Sequence, residues 1–425
     1  MKTKYRIIQS KATPFGGLYV VDEFLEKLNF HHIFNSVFGR YRKVRKHRPV
    51  DNIKLMMASI TAGGERLYDV EYFEKDAVIP DLLGIDTIPK DTTLRDDFMH
   101  IGTMDHERQE LLFQLNENHF KKRHIRSITI DIDGSALPVD GHQECAERGY
   151  CPEEIGSRCF QTLAAICDQT ESAIAEQTYP GNTKWSKEEI IAFCKPILDR
   201  FTPQLEKIIL RFDAGFYSDD LLDFLESYDN VTYIIDKPKH EWLQIKVTKI
   251  KYKQYHGSDR EYTCFSYGEG LNGQFRYYYV ERTKKKPGTQ TDLFESNDYV
   301  YRVIVSNQDR QPHVMFNIYN KRGRIEKHIE ELKNQYALGK MFSRNFSVTK
   351  ALIWLSYLTF TIIGILRHVA FRRDMAKYRL RRLRYILFTS VATFPKHARN
   401  RVLNISLPRV TPWKFKFIME RVWAY

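Results

Sequence analysis

The stretch Ser127-Ile128-Thr129-Ile130-Asp131-Ile132-Asp133 alternates apolar and polar side chains without interruption. A period of two marks a β-strand with one face in a core. Ile130 and Ile132 then share one face, and Asp131 and Asp133 share the other. Aspartate is disfavoured on a strand unless it has a partner. The bland reading is a pair of surface aspartates on an edge strand; the sharper one is a functional carboxylate pair.

Further elements follow in a telling order. Residues 160–166 and 172–177 read as two more strands, and Pro180-Gly181-Asn182 marks a break. A helix is expected over 187–200, a strand over 207–212 (KIILRF), a helix over 218–227 with Ser218 as N-cap, and a strand over 231–235. Three strands able to meander, followed by strand–helix–strand crossovers, describe a mixed α/β sheet covered by helices. Residues 241–305 are rich in Tyr, Phe, Val and Thr. Turn signals at His256-Gly257-Ser258 and Leu271-Asn272-Gly273 make them a β-rich insertion, with a basic loop at Lys284-Lys285-Lys286-Pro287-Gly288 and a last strand at 299–305. From about Phe316 the chain returns to helix.

The N-terminal 125 residues read as helical, from Phe24, Leu25 and Leu28 in one periodic stretch and Ile53, Met56, Met57 and Ile60 in another. Asp91 or Thr92 is expected to cap a helix. The basic run Arg40, Arg42, Lys43, Arg45, Lys46 and Arg48 suits a solvated loop or a phosphate-contacting one.

The chain has 425 residues, 43% of them hydrophobic, and a formal net charge of +13. That composition excludes wholesale disorder, and the basic balance points to a polyanion partner, with an ordinary basic enzyme as the alternative. Its six cysteines contain no CxxC pair, so neither a disulfide scaffold nor a zinc finger is expected. Residues 351–366 are strongly apolar but short for a membrane span and contain Ser356, Thr359 and Thr361; a buried core helix is expected there. No signal peptide is read at the N-terminus.

Two further acids stand out. Asp213 follows KIILRF at the carboxyl end of a strand, the edge on which α/β proteins build sites. A turn or capping aspartate is the plainer reading. In YNKRGRIEKHIEELK, Tyr319, Arg322, Glu326 and Lys333 fall within about 60° of one another on a helix turning about 100° per residue. Ile325, Ile329, Leu332 and Tyr336 form an apolar seam beside them. Charge pairs spaced as Arg322–Glu326 explain the charges but not the Tyr and Lys on the same face. Three carboxylates from two strands and a helix suit two divalent cations that clamp the attacking and leaving oxygens of a phosphodiester.

This layout resembles the DDE transposases of bacterial insertion sequences, specifically the group with a Tyr-x2-Arg-x3-Glu-x6-Lys signature and a β-rich insertion before the glutamate. The signature is matched at Tyr319, Arg322, Glu326 and Lys333, the first Asp motif at Asp133-Gly134-Ser135, and the second at Asp213-Ala214-Gly215-Phe216. Gly141-His142-Gln143-Glu144, Gly149-Tyr150 and Tyr179-Pro180-Gly181-Asn182 also resemble this group. Asp131 competes for the first position, and residues 151–159 look like an extension outside the pattern.

The resemblance implies an RNase H-like mixed-sheet α/β core with a β-rich insertion, flanked by helical N- and C-terminal regions. In this sequence that gives a helical DNA-binding region at 1–125, the core at 126–240 and 306–370, the insertion at 241–305 and a basic helical tail at 371–425. It implies Asp133, Asp213 and Glu326 as ligands of two Mg²⁺ (or Mn²⁺) ions, and Tyr319, Arg322 and Lys333 as contacts to DNA phosphates. Implied partners are double-stranded transposon ends and target DNA and, in a synaptic complex, a second copy of the chain. No membrane partner is implied, and a bacterial cytoplasmic, nucleoid-associated location is expected. The implied reaction is hydrolysis at each element end, then in-line attack of the freed 3′-OH on target DNA. The alternatives are an RNase H-like nuclease without strand transfer, a non-catalytic DNA-binding relic, and a protein anchored to a membrane by 351–366.

Overall fold

The first 125 residues form α1 (Leu18–Lys27), α2 (Phe30–Phe38), α3 (Pro49–Ala62), α4 (Asp91–Gly102) and α5 (Asp105–Lys122). The computed structural model describes residues 11–43, 46–76, 78–238, 241–255, 259–270, 273, 275–285, 298–397 and 400–425. The turn signals at His256-Gly257-Ser258 and Leu271-Asn272, the loop residues Lys286-Pro287-Gly288, Arg45 and the first ten residues lie outside the described residues. Asp91 does not cap α4 but is its first residue, where a carboxylate faces the helix dipole; Lys90 takes the flanking position. In the basic run, Arg42 forks onto the buried Asp97 of α4 and donates to the His47 carbonyl. That guanidinium is spent on folding the loop, not offered to a phosphate.

The alternating stretch opens β1, which runs further than its pattern, over Ser127–Val139. Its length comes from pairing along β2 (Arg158–Cys167), in register from Ile130↔Cys167 to Val139↔Arg158. Then come β3 (Ser172–Pro180), α6 (Lys187–Phe201), β4 (Lys207–Phe212), α7 (Asp219–Glu226) and β5 (Val231–Asp236). Ser186 and Ser218 cap α6 and α7 by accepting from the amides of Glu189 and Leu221. β2 is antiparallel to both β1 and β3; β1, β4 and β5 are parallel. The order β3-β2-β1-β4-β5 is the RNase H-like arrangement.

The following segment, α8 (Glu241–Lys249), β6 (Lys253–Gln254), β7 (Arg260–Glu269), β8 (Phe275–Lys284) and β9 (Tyr299–Ser306), adds to the same sheet. β9 pairs antiparallel with β5 at Ile304↔Asp236 and Val305↔Ile235, and β8, β7 and β6 follow outward.

Four longer helices follow, α9 (Pro312–Tyr319), α10 (Gly323–Gln335), α11 (Phe346–Ala370) and α12 (Pro412–Trp423), and between the last two the tail expected to be helical also forms short helical turns and two-residue strands such as Ala392–Thr393 and Asn404–Ile405. Ile128, Ile130 and Ile132 face a core shared with α6 and α7, while α9 packs on the opposite face of β5 through Ile234, Met315 and Phe316. α11 is long and apolar enough to cross a membrane, yet 94% of its most apolar window is buried. It packs on α4, β3, α3 and α12. Gly364 lets it rest on the backbone of Thr170 and Glu171, where a Cβ would collide. The six cysteines are free thiols, four of them buried.

Candidate active site

The two strand aspartates on one face of β1 have different surroundings. Asp131 is 2% exposed and accepts two hydrogen bonds from Arg211 of β4, at 2.6 and 2.7 Å. Arg211, 1% exposed, also donates to the Ile318 carbonyl at 2.7 Å and lies 3.3 Å from Asp168. This buried pair ties β1, β4 and α9 together, and no other cation need hold Asp131. Asp133, two residues on, has no such partner. Burial pushes its carboxyl up to about 6, against the pull of Arg322; Asp213 and Glu326 add to the rise. Arg322 Nη2 lies 3.1 Å from it, and the Gly134 amide donates to it at 3.0 Å. The competition for the first position therefore falls to Asp133.

Strand register brings the second aspartate in. Asp131 is opposite Arg211 across the parallel β1–β4 ladder, so two residues on, the same register sets Asp133 beside Asp213. Asp213 itself is exposed and flanks a short 3₁₀ turn, Ala214–Phe216. Asp133 and Glu326 line a cleft of about 450 Å³ with Ser135, Glu153, Trp185 and Lys333; Asp213 is not in its wall. Trp185 leans over Gly134, leaving no room for a Cβ, and stacks on Phe216 with ring centres 6.1 Å apart.

The helix with the four-residue signature is not continuous. α9 ends at Tyr319, a 3₁₀ turn spans Asn320–Arg322, and α10 begins at Gly323. A 3₁₀ turn advances about 120° per residue, so the face computed for an unbroken helix is redistributed. The apolar seam survives: Ile325, Leu332 and Tyr336 are fully buried. Tyr319 is 1% exposed and its hydroxyl donates to the Phe212 carbonyl at 3.0 Å. That corrects its expected contact to a DNA phosphate: it is walled in, and it holds the end of β4 immediately before Asp213. Arg322 is 7% exposed and lies between Asp133 and Glu326, whose carboxylate is 3.9 Å away. Glu326 is mostly exposed. Lys333 donates to the Ala136 carbonyl at 3.0 Å and to Glu153 at 2.5 Å.

The structure thus gathers Asp133, Glu326 and Lys333 in one cleft, sets Asp213 beside Asp133, and turns Tyr319 inward. Among the described residues no three His, Cys, Asp or Glu side chains already form a tight metal cage. The donor chemistry nevertheless fits a hard divalent cation: all the donors are carboxylate oxygens, and Asp133 is a half-buried acid whose one close cation among the described residues is Arg322. Sequence reasoning passed over Arg211, Trp185 and Glu153. An arginine flanked by Leu210 and Phe212 in KIILRF, on the strand paired with Asp131, was the available signal for the first.

An RNase H-like sheet with carboxylates just past the point where two adjacent strands stop pairing in parallel, and a glutamate helix packed over them, defines the DDE class of transposases. This chain belongs to the transposase DDE domain group 1 family, whose sequence model matches residues 10–422. Among solved structures, it is similar to a piggyBac transposase synaptic complex with hairpin DNA at 13% identity and a TM-score of 0.46, over 88% of this chain and 80% of that one. It is similar to a pre-cleavage Mos1 transpososome at 9% identity and a TM-score of 0.18, over 53% and 78%. The strand order, not these likenesses, identifies the fold. No curated protein sequence matches the chain.

Proposed function

We propose that this transposase cuts DNA at the ends of its own insertion sequence and joins the freed ends to target DNA, a cut-and-paste reaction. The observation that carries the reading is the alignment of Asp133 with Asp213 across β1 and β4, with Glu326 facing Asp133 across Arg322. Asp133, Asp213 and Glu326 would hold two Mg²⁺ ions, which Mn²⁺ can replace. When bound, such a pair stabilises charge on the attacking and leaving oxygens of an in-line displacement. Arg322 is placed to follow the scissile phosphate, since its Nε makes no hydrogen bond and its Nη2 meets only Asp133. Lys333 reaches a flanking phosphate once Glu153 releases it. Tyr319 and Arg211 position the strand ends and touch no DNA. A dimer pairs the two ends, and the protein works on the bacterial nucleoid in the cytoplasm.

The test uses duplexes taken from the DNA flanking the gene, with Mg²⁺, and compares wild type with Glu326→Gln. Metal-dependent cutting and joining, lost in the variant while DNA binding survives, is expected. Cutting without joining would make the protein a nuclease. Binding of paired ends without any cutting would make it a DNA-binding relic.

A further inference from the structure

The same strand register brings a further carboxylate to the row. Phe212 is paired with Ile235 across the parallel β4–β5 ladder, and Asp213 keeps extended dihedrals of φ −81° and ψ 166°. Asp213 and Asp236 are therefore neighbours, with backbones about 4.8 Å apart. Residues in register on parallel strands point to the same face, so Asp133, Asp213 and Asp236 form one row across β1, β4 and β5. This is the face on which Arg211 meets Asp131.

Asp236 is the last residue of its strand, and its side chain is 22% exposed. Arg302 Nε approaches it at 3.3 Å. Arg302 also donates to Asn320 Oδ1 at 2.9 Å and covers the Tyr319 ring at 4.8 Å, so it has anchors apart from Asp236. A second observation is independent of the acids. Arg322 is more than nine-tenths buried and aimed into the row; its Nη2 is ion-paired with Asp133 at 3.1 Å, and its Nε makes no hydrogen bond. A buried donor left without a partner next to surplus carboxylates calls for an anion and a cation together, as at a phosphodiester held by metal ions.

We propose that Asp236 is a fourth carboxylate of the cation site, ligating a divalent cation jointly with Asp213. This rests on the reading of Asp133 and Asp213 as cation ligands. The test is Mn²⁺ binding to the full chain without DNA, followed by the electron paramagnetic resonance of free Mn²⁺. Asp236→Asn is expected to weaken binding of one Mn²⁺ by about tenfold or more while the metal-free melting curve is kept. Arg302→Gln, which frees Asp236, is expected to bind Mn²⁺ at least as well as wild type. Wild-type binding by Asp236→Asn, with binding lost in Asp213→Asn, would overturn the proposal and leave the parent reading standing. Equal loss in Asp236→Asn and Arg302→Gln would also overturn it, because Asp236 would then act only by holding Arg302. Unchanged binding in Asp213→Asn would instead remove the parent reading.

Discussion

Two aspartates two residues apart on β1 should respond to the same substitution in opposite ways. Asp131→Asn relieves the desolvation of its own carboxylate but strands Arg211, which is 1% exposed. Breaking a buried ion pair costs about 3–5 kcal/mol. The amide keeps one acceptor, and Asp168 remains 3.3 Å from the guanidinium, so the lower end, about 3 kcal/mol, is expected. Asp133→Asn removes a carboxylate that burial already holds up to about 6. It has one contact to Arg322, 3.1 Å long, against the two-pronged contact of Asp131, and Glu326 stays 3.9 Å from that guanidinium, so neutralising it should change the stability of the metal-free protein by no more than about 1 kcal/mol at pH 7. The assay is the urea midpoint at pH 7.5 and pH 5.0, beside Mg²⁺-dependent cleavage of end DNA. Asp131→Asn should unfold early but still cut; Asp133→Asn should fold fully and not cut. The deficit of Asp131→Asn should grow at pH 5.0, because burial also pushes wild-type Asp131 up to about 6, so the folded wild type takes a proton there that the unfolded chain does not, and the variant gains nothing. A destabilised Asp133→Asn that still cuts, beside a stable Asp131→Asn that does not, would refute the assignment.

Three other outcomes are expected. Tyr319→Phe loses only the hydrogen bond to the Phe212 carbonyl and should cost about 1 kcal/mol; the affinity for end DNA at fixed salt should not move, whereas a lost phosphate contact would weaken it. Gly134→Ala should push Trp185 off its stack with Phe216, destabilise by about 1–3 kcal/mol and change the tryptophan emission; an unaltered spectrum would count against that contact. His119 lies buried between Tyr425 and His368, and burial holds its imidazole down to about 3. Because the unfolded chain binds a proton below about 6.5 and the fold does not, stability should fall by up to about 1.4 kcal/mol per pH unit between 6.5 and 3; His119→Gln should flatten the urea midpoint across that range.

Much of the core was legible because its signals are local. KIILRF is β4 residue for residue, and Ser218 caps α7 as expected. The Asp133 and Asp213 motifs fall on the expected elements for the same reason. The signature helix was legible only in part. Periodicity arithmetic assumes one continuous helix, and the 3₁₀ turn at Asn320–Arg322 breaks that assumption, turning Tyr319 inward. Glu153 over Lys333 and Asp236 beside Asp213 depend on pairings between distant segments, which no periodicity within one segment reveals. The role of Arg211 is similar: its strand was evident, but its partner became evident only from the β1–β4 register.

Helix α11 also bears on how the chain is made. Its 25 residues leave the ribosome over about 1–5 s as a segment apolar enough to pass for a membrane span. The surfaces that receive it on α3, α4 and β3 are all encoded upstream, so they are already outside when it emerges. Order of synthesis thus gives this segment a protein surface to join before a lipid one can compete. A circular permutant that began at α11 would reverse that order and present the bare helix first.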